Sequence, residues 1–341
     1  MATRQWNPGD LLELSGYFWK TGVLHAAVKL DLFTVIGDGH LTSNEISRRL
    51  KAAQRGVERL LNALVAMDLL VKTDGKYANS FSCQTLLSKD SSKYIGHIIM
   101  HHHHLVESWS QLDQAVLSGA PVRARSSFSK EEWRESFLMG MFNLAMELAP
   151  QLVPLIDLSS RKHLLDLGGG PGTYAIHFCQ KNPRLRATVY DLPTTRPFAE
   201  KTIKQFNLVD RINFADGNYI TDPIEGQYDV AWLSHILHGE GPQDCRRIVQ
   251  KAVDALRPQG IIIIHEFILK NSMDGPLFPA LFSLNMLLGT EAGQAYSEQQ
   301  LTDMLAAAGI KNIRRIPAQT PNESGLLLGE KIGFISKTHP G

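Results

Sequence analysis

The stretch Asp166-Leu167-Gly168-Gly169-Gly170-Pro171-Gly172 puts a carboxylate just ahead of four closely spaced glycines. Glycines in a turn let the backbone fold tightly and let a ligand approach it closely. A dinucleotide loop of the G-x-G-x-x-G kind sets a pyrophosphate on a helix N-terminus. Here the spacing is D-x-G-G-G-x-G, and no Lys or Arg stands nearby to meet a phosphate. Asp191, nineteen positions after Gly172, falls where an acid can accept both hydroxyls of a ribose. A carboxylate before the loop and another at the end of the next strand suit a nucleoside that carries a positive group. S-adenosylmethionine (SAM), with its ammonium and sulfonium, fits this better than NAD. In the same topology Asp216-Gly217-Asn218-Tyr219 lies beside the adenine, where Asn218 can accept from the exocyclic amine. The plainer alternative is a turn, which Asn and Gly favour anyway. The candidate cofactor contacts are Asp166, Gly168, Gly170, Gly172, Asp191, Leu192, Gly217, Asn218, Tyr219 and Ser234.

A second stretch with chemical potential is IGHIIMHHHHLVESW, residues 95–109. Four adjacent helical residues fan over roughly 300°, so His101 to His104 cannot all meet one ion. His97, His101 and His104 share a face at i, i+4 and i+7, which makes a three-histidine zinc site geometrically possible. Ile98, His102, Leu105, Trp109, Leu112 and Val116 form a second, mostly apolar stripe suited to core or dimer packing. The expectation is a structural or pocket-lining run without a metal, with His104 as a substrate contact.

Two kinds of chain must position these groups. Residues 1–150 read almost entirely as helix. VLHAAVKLDLFTVI has apolar residues at helical spacing, Thr42 and Glu45 are spaced as a capping box, and RGVERLLNALVAMDLL is a strong helix. LVKTDGKYANS reads as a hairpin turning at Asp74-Gly75. Helix, helix, helix, hairpin is a winged-helix order, but a DNA-reading helix needs a basic polar face. ERLLNALVAMDLL is mostly apolar after Arg55 and Arg59 and is expected to be buried. Residues 151–341 change grammar. HLLDL, RATVYDL, RINFADG, YDVAWLSHIL and GIIIIHEFIL read as strands alternating with helices, with IRRIPAQ and SGLLLGEK closing the series. That order predicts an α/β domain with a parallel sheet covered on both faces and its ligand at the strand C-termini.

Bulk composition narrows the classes. With 35 Lys and Arg against 34 Asp and Glu, there is no electrostatic reason to expect nucleic acid or an acidic membrane as partner. MATRQWNPGDLLEL has no apolar run for a signal peptide, and GIIIIHEFIL is short and contains His265 and Glu266, so no membrane span is expected. Three scattered cysteines, Cys83, Cys179 and Cys245, read as buried reduced thiols of a cytoplasmic protein.

Taken in order, LLDLGGGPGTYA, VYDLP, DGNYITDP, SHILHGEGPQDCRRIV and GTEAGQAYSEQQL resemble the SAM-dependent O-methyltransferases of caffeic acid, hydroxyindole and acetylserotonin type and their bacterial aromatic-polyketide relatives. The resemblance spans nearly the whole chain. It implies a Rossmann-like class I methyltransferase domain, an N-terminal winged-helix dimerisation domain, a homodimer, a small-molecule acceptor, and S-adenosylhomocysteine (SAH) as product without a metal. It places the general base at His238, within Leu237-His238-Gly239-Glu240, and an orienting acid at Glu266. It gives Phe137, Met141, Phe142, Met286 and Thr290 to the substrate pocket, and packing near the cofactor to His235.

Three positions depart from the family pattern. The Asp and Trp after the family histidine are Gly239 and Glu240, and a second orienting acid is replaced by Ala295. The base must then be held by Glu266 alone or with Tyr296. The departures leave room for relatives that methylate carbon, or that decarboxylate or hydroxylate. A ligand-sensing regulator built on the winged helix is a further alternative.

Overall fold

The computed structural model describes residues 5–124 and 131–332. Two compact units divide the chain, residues 1–105 with 135–143 and residues 106–134 with 144–341.

The first unit opens with α1 (Pro8–Lys29), whose start is fixed by Asn7 and Asp10 in a reciprocal capping box with Pro8 at the first helical position. Only the second half of α1 has a sequence signal. Leu11, Leu12, Tyr17, Phe18 and Trp19 are all exposed, so the first half has no buried stripe to betray a period. Helix α2 (Leu32–Ile36) and strand β1 (Leu41–Thr42) follow. The expected capping box is present at α3 (Ser43–Leu50): Thr42 Oγ1 accepts from Glu45 N, and Glu45 Oε2 accepts from Thr42 N at 2.7 Å. Strands β2 (Leu70–Thr73) and β3 (Lys76–Asn79) form the expected hairpin, with positive φ at both Asp74 and Gly75 as its twist requires. Sheet order is β1-β3-β2. Helix α4 (Gln54–Ala66) departs from expectation. It buries only the stripe Val57, Leu61 and Leu64, while Arg55, Glu58, Arg59 and Asn62 face solvent. Apolar content made it look fully buried, but at 3.6 residues per turn these apolar positions fall on one side. Helices α5 (Phe81–Leu87) and α6 (Gly96–Trp109) complete the run.

The second unit contains α7 (Leu112–Ser118), and α8 (Glu131–Leu152) is shared, with residues 135–143 in the first unit and its two ends in the second. Strands β4 (His163–Leu167), β5 (Arg186–Asp191), β6 (Ile212–Asp216), β7 (Tyr228–Ser234) and β8 (Leu256–Leu269) are parallel. Helices α9 (Thr173–Lys181), α10 (Arg196–Gln205) and α11 (Pro242–Asp254) alternate with them. Beyond β8 come α12 (Leu277–Gly289), the short β9 (Tyr296–Ser297) paired to β8, α13 (Glu298–Ala307), β10 (Ile310–Ile316) and β11 (Ser324–Lys331). The strand order is β10-β11-β8-β7-β4-β5-β6, a parallel set with the closing pair β10 and β11 at one edge. β11 is antiparallel to both neighbours, because residues 317–323 are too few for the crossover a parallel pair needs.

Adjacent residues along a strand feed opposite faces. Ile261 and Ile263 join Leu164, Phe178 and Trp232 in one core, while Ile262 and Ile264 join Leu165, Leu233 and Ile248 in the other. β4 and β7 are neighbours although β5 and β6 separate them in sequence, so their carboxyl ends diverge into a crevice. Among the described residues no helix is long and apolar enough to cross a membrane.

Trp232 is fully buried and packs its ring against Tyr174 and Phe178. Trp232→Ala should lower the stability of the second unit by roughly 3–5 kcal/mol in urea unfolding, and a loss under about 1 kcal/mol would mean the cavity collapses.

Candidate active site

The chain leaves β4 at Asp166-Leu167 and turns through the glycines into α9. Two glycines are required there for different reasons. Gly168 has φ of +65°, and a Cβ on it would meet Ile236 Cγ2 at 2.5 Å. Gly170 also has positive φ, but its missing Cβ faces open space. The amide of Gly170 donates to Asp191 Oδ2 at 2.8 Å, and Asp191 Oδ1 accepts from Leu192 N and Thr195 Oγ1. The end of β5 is thus tied directly to the glycine loop. Asp191 faces the loop with oxygens already bonded to protein donors, and ribose hydroxyls would have to share them.

Asp166 is buried, its Oδ2 accepts from Ala175 N, and its Oδ1 has no hydrogen-bond partner among the described residues. Burial pushes its carboxyl up to about 7; the Ala175 amide opposes the rise and the nearby Asp191 charge adds to it. A buried acid with an orphaned oxygen, beside a loop with an open face, fits a cationic nucleoside such as SAM. Gly217 donates its amide to Asp191 O, and Tyr190 leaves no room for a side chain there. The Asn218 side-chain oxygen accepts from Ile220 N inside its own turn, while its backbone amide donates to Asp222 Oδ2. The Tyr219 ring lies beside Gly168, with its hydroxyl 3.4 Å from Glu240 Oε1.

A few ångströms of chain beyond β7 hold the second cluster. Ser234 Oγ lies 2.9 Å from His265 Nδ1, across the β7–β8 register that pairs the two residues. His235 then turns the chain at φ of +56°, and a 3-10 turn over Leu237–Gly239 presents His238. Glu266, on β8, is 1% exposed and receives the whole turn. Its Oε1 accepts from the amides of Leu237 (2.9 Å) and His238 (3.2 Å). Its Oε2 lies 2.7 Å from His238 Nδ1 and accepts from Phe267 N. Burial alone would raise the Glu266 carboxyl; the His238 and His235 rings beside it overcome that and hold the acid far below the usual carboxylate range. A carboxylate fixed on Nδ1 selects the tautomer that leaves Nε2 with its lone pair. His235, His238 and Glu266 bring three ligand-type atoms within 4.8 Å; Glu266 Oε2 meets His238 Nδ1 at 2.7 Å and faces His235 Nδ1 from 3.5 Å.

Tyr296 does not take the part open to it beside the base. Its hydroxyl donates to the Glu240 carbonyl and lies near Cys245 Sγ, a buried structural knot. Ala295 is fully buried. Met286 is buried on α12, and Thr290 Oγ1 donates to Met286 O while accepting from Gly293 N. Phe137, Met141, Phe142 and His104 lie in the first unit. There Phe137 packs against His101 at 5.3 Å, and Met141 packs against that unit's core. His97, His101 and His104 do not bring three ligand atoms together; His97 instead packs on Tyr94.

Residues 114–311 match the model of the O-methyltransferase domain, and residues 12–89 match the O-methyltransferase dimerisation domain. The chain belongs to the O-methyltransferase family. As a member of it, the protein is a SAM-dependent O-methyltransferase with its own dimerisation domain. It is 32% identical to a 3-hydroxy-5-methyl-1-naphthoate 3-O-methyltransferase of Streptomyces sahachiroi over 95% of each chain. It is 29% identical to an L-tyrosine C(3)-methyltransferase of Streptomyces lavendulae, over 90% of this chain and 88% of that one. A solved structure of PigF with SAH superposes with a TM-score of 0.88 at 26% identity, covering 96% of this chain and all of that one; PigF is also known from a Serratia strain.

Within this O-methyltransferase, sequence reading missed the aromatic wall beside the histidine. Phe282 stands edge-on to His238 at 4.7 Å, and Phe267 packs on Phe282 at 4.5 Å and Phe278 at 4.9 Å. The available signal was Phe278 and Phe282 at i, i+4 in a segment with no polar face.

Asp166 supplies a prediction with a definite sign. Its folded pKa, about 7, lies above the ordinary aspartate value of 3.8, so its contribution to stability is full below the lower value and is lost as pH rises through the upper one. Asp166→Asn should therefore melt higher than wild type at pH 8 in the ligand-free state, while calorimetry shows weaker SAM binding. A lower melting point at pH 8 would contradict the assignment of a buried, unpaired charge.

Proposed function

We propose that the enzyme moves a methyl group from SAM to a hydroxyl oxygen of a small aromatic molecule, with His238 as general base and Glu266 as its positioning acid. The observation that carries this reading is the 2.7 Å contact between His238 Nδ1 and a buried carboxylate. SAM, when bound, supplies an electrophilic methyl on a sulfonium that departs as a neutral thioether, so no acid is needed for the leaving group. The protein must align the acceptor and remove its proton. A phenol has a pKa near 10 and an imidazole about 6.5, so Nε2 of His238 can take the hydroxyl proton as the oxygen attacks. Glu266 then faces the imidazolium so formed. The wall of Phe267, Phe278 and Phe282 offers a flat acceptor edge-to-face and stacked contacts. The hydroxynaphthoate named for the 32% identical relative is an acceptor of this kind.

We also infer a homodimer through the first unit. The dimerisation-domain match supports it, as does the exposed face of α1, where Leu12, Phe18 and Trp19 are each about 70% exposed. The relative named for carbon methylation, together with Ala295 in place of a second acid, favours a second reading in which the acceptor atom is a ring carbon.

The deciding assay measures SAH release from SAM with a panel of phenols, catechols and hydroxyquinones. His238→Ala should lower release by about 10²–10⁴-fold while SAM still binds. Release that survives the mutation would sink His238 as base and direct attention to a carbon acceptor or an already ionised hydroxyl.

A further inference from the structure

His235 takes part in no step derived above, yet its placement is unusual. It sits at the end of β7 in the left-handed region, φ +56°, which a residue with a Cβ occupies only when its surroundings hold it there. Those surroundings are close. Its amide donates to the His265 carbonyl at 2.9 Å, and its ring packs on His265 and on Phe267, both at 4.3 Å between centroids. The result is to aim Nδ1 at Glu266 Oε2 from 3.5 Å, the same oxygen that meets His238 Nδ1. Nδ1 of His235 is buried and makes no close hydrogen bond among the described residues; Glu266 Oε2, at 3.5 Å, is the acceptor it faces.

We infer that His235 is a positioning residue: its Nδ1–H is a second imidazole donor to Glu266 and holds that carboxylate in the orientation the base requires. The inference rests on the reading of His238 as the base. The tautomer follows from electrostatics. A neutral imidazole carries one N–H, and a bare Nδ1 lone pair facing a carboxylate at this distance would be repelled, so the proton belongs on Nδ1. Burial holds His235 in the neutral form, against a partial pull from Glu266.

The chemical consequence concerns where the shared proton rests. Oε1 is occupied by two backbone amides and Oε2 by Phe267 N and His238 Nδ1. Those four donors take the lone pairs of the carboxylate, and the His235 N–H dipole, aimed at Oε2 from 3.5 Å, adds electrostatic stabilisation that makes it a weaker proton acceptor. The proton between Glu266 and His238 then stays on Nδ1, and Nε2 remains the free lone pair.

The test separates donor from filler. His235→Phe keeps the ring and loses the N–H. His235→Asn loses the ring but keeps an N–H donor, on a side chain that tolerates positive φ. Proton NMR of the full-length protein with SAH reads the His238 Nδ1–H resonance, assigned by its disappearance in His238→Ala, and needs no acceptor. The resonance should broaden or vanish in His235→Phe and persist in His235→Asn. With an accepted substrate, kcat should fall by up to about 10²-fold in the Phe variant with KM little changed, and recover in the Asn variant. An unaltered resonance in the Phe variant would overturn the proposal, and so would loss in Asn with retention in Phe, which marks packing alone. If no panel compound turns over, the function reading fails, while the resonance still decides the role of His235.

Discussion

A carboxylate buried to 1% exposure and kept ionised is the constraint that the reactive end of this protein obeys. Taking an ion out of water costs several kcal/mol unless donors replace the lost hydration. Glu266 recovers them from three backbone amides and an imidazole, and every one belongs to chain that must run a particular way. β7 and β8 have to be parallel neighbours with Ser234 opposite His265, so that the residues after β7 arrive over Glu266. The chain must then turn sharply at His235 and close in a 3-10 turn, so that two successive amides point at one oxygen. The position of His238 is the last link in that series, and the Phe wall packs against the result.

The other strand end solves the opposite problem. Asp166 receives one amide and no cation from the described residues, so burial dominates and lifts its carboxyl toward neutrality. Glu266 is saturated before any ligand arrives, whereas Asp166 has an oxygen left over. A site completed by its own backbone suits a group that must hold still, and a site left incomplete suits one that must meet a cationic ligand. Asp191 lies between these extremes, spending its oxygens on tying β5 to the glycine loop.

Short-range physics made much of this legible in the sequence. The D-x-G-G-G-x-G turn, the Thr42–Glu45 box and the Asp74-Gly75 hairpin depend on neighbours a few residues apart, and all three are present. Strands whose two faces are both buried show as apolar runs, which located β4, β7 and β8. Signals failed where the deciding partner was remote or absent. The first half of α1 has no buried face within its own chain, and α12 is apolar all round, so neither displays a period. Tyr296 was a candidate partner for the base by nearness in sequence to Ala295, but its hydroxyl was taken by a carbonyl 56 residues away.

By itself, the sequence determined the helical run that gives way to alternating strands and helices, the glycine turn with its leading acid, and the family motifs that contain His238 and Glu266, because these follow from residue type and local spacing. Tertiary structure alone decided the reversal of β11, the turning of Asn218 into its own loop, the Phe267–Phe278–Phe282 wall, and the convergence of His235 and His238 on one carboxylate oxygen. Those outcomes depend on strand register and on which buried donor reaches which acceptor, and both are fixed only when distant segments pack.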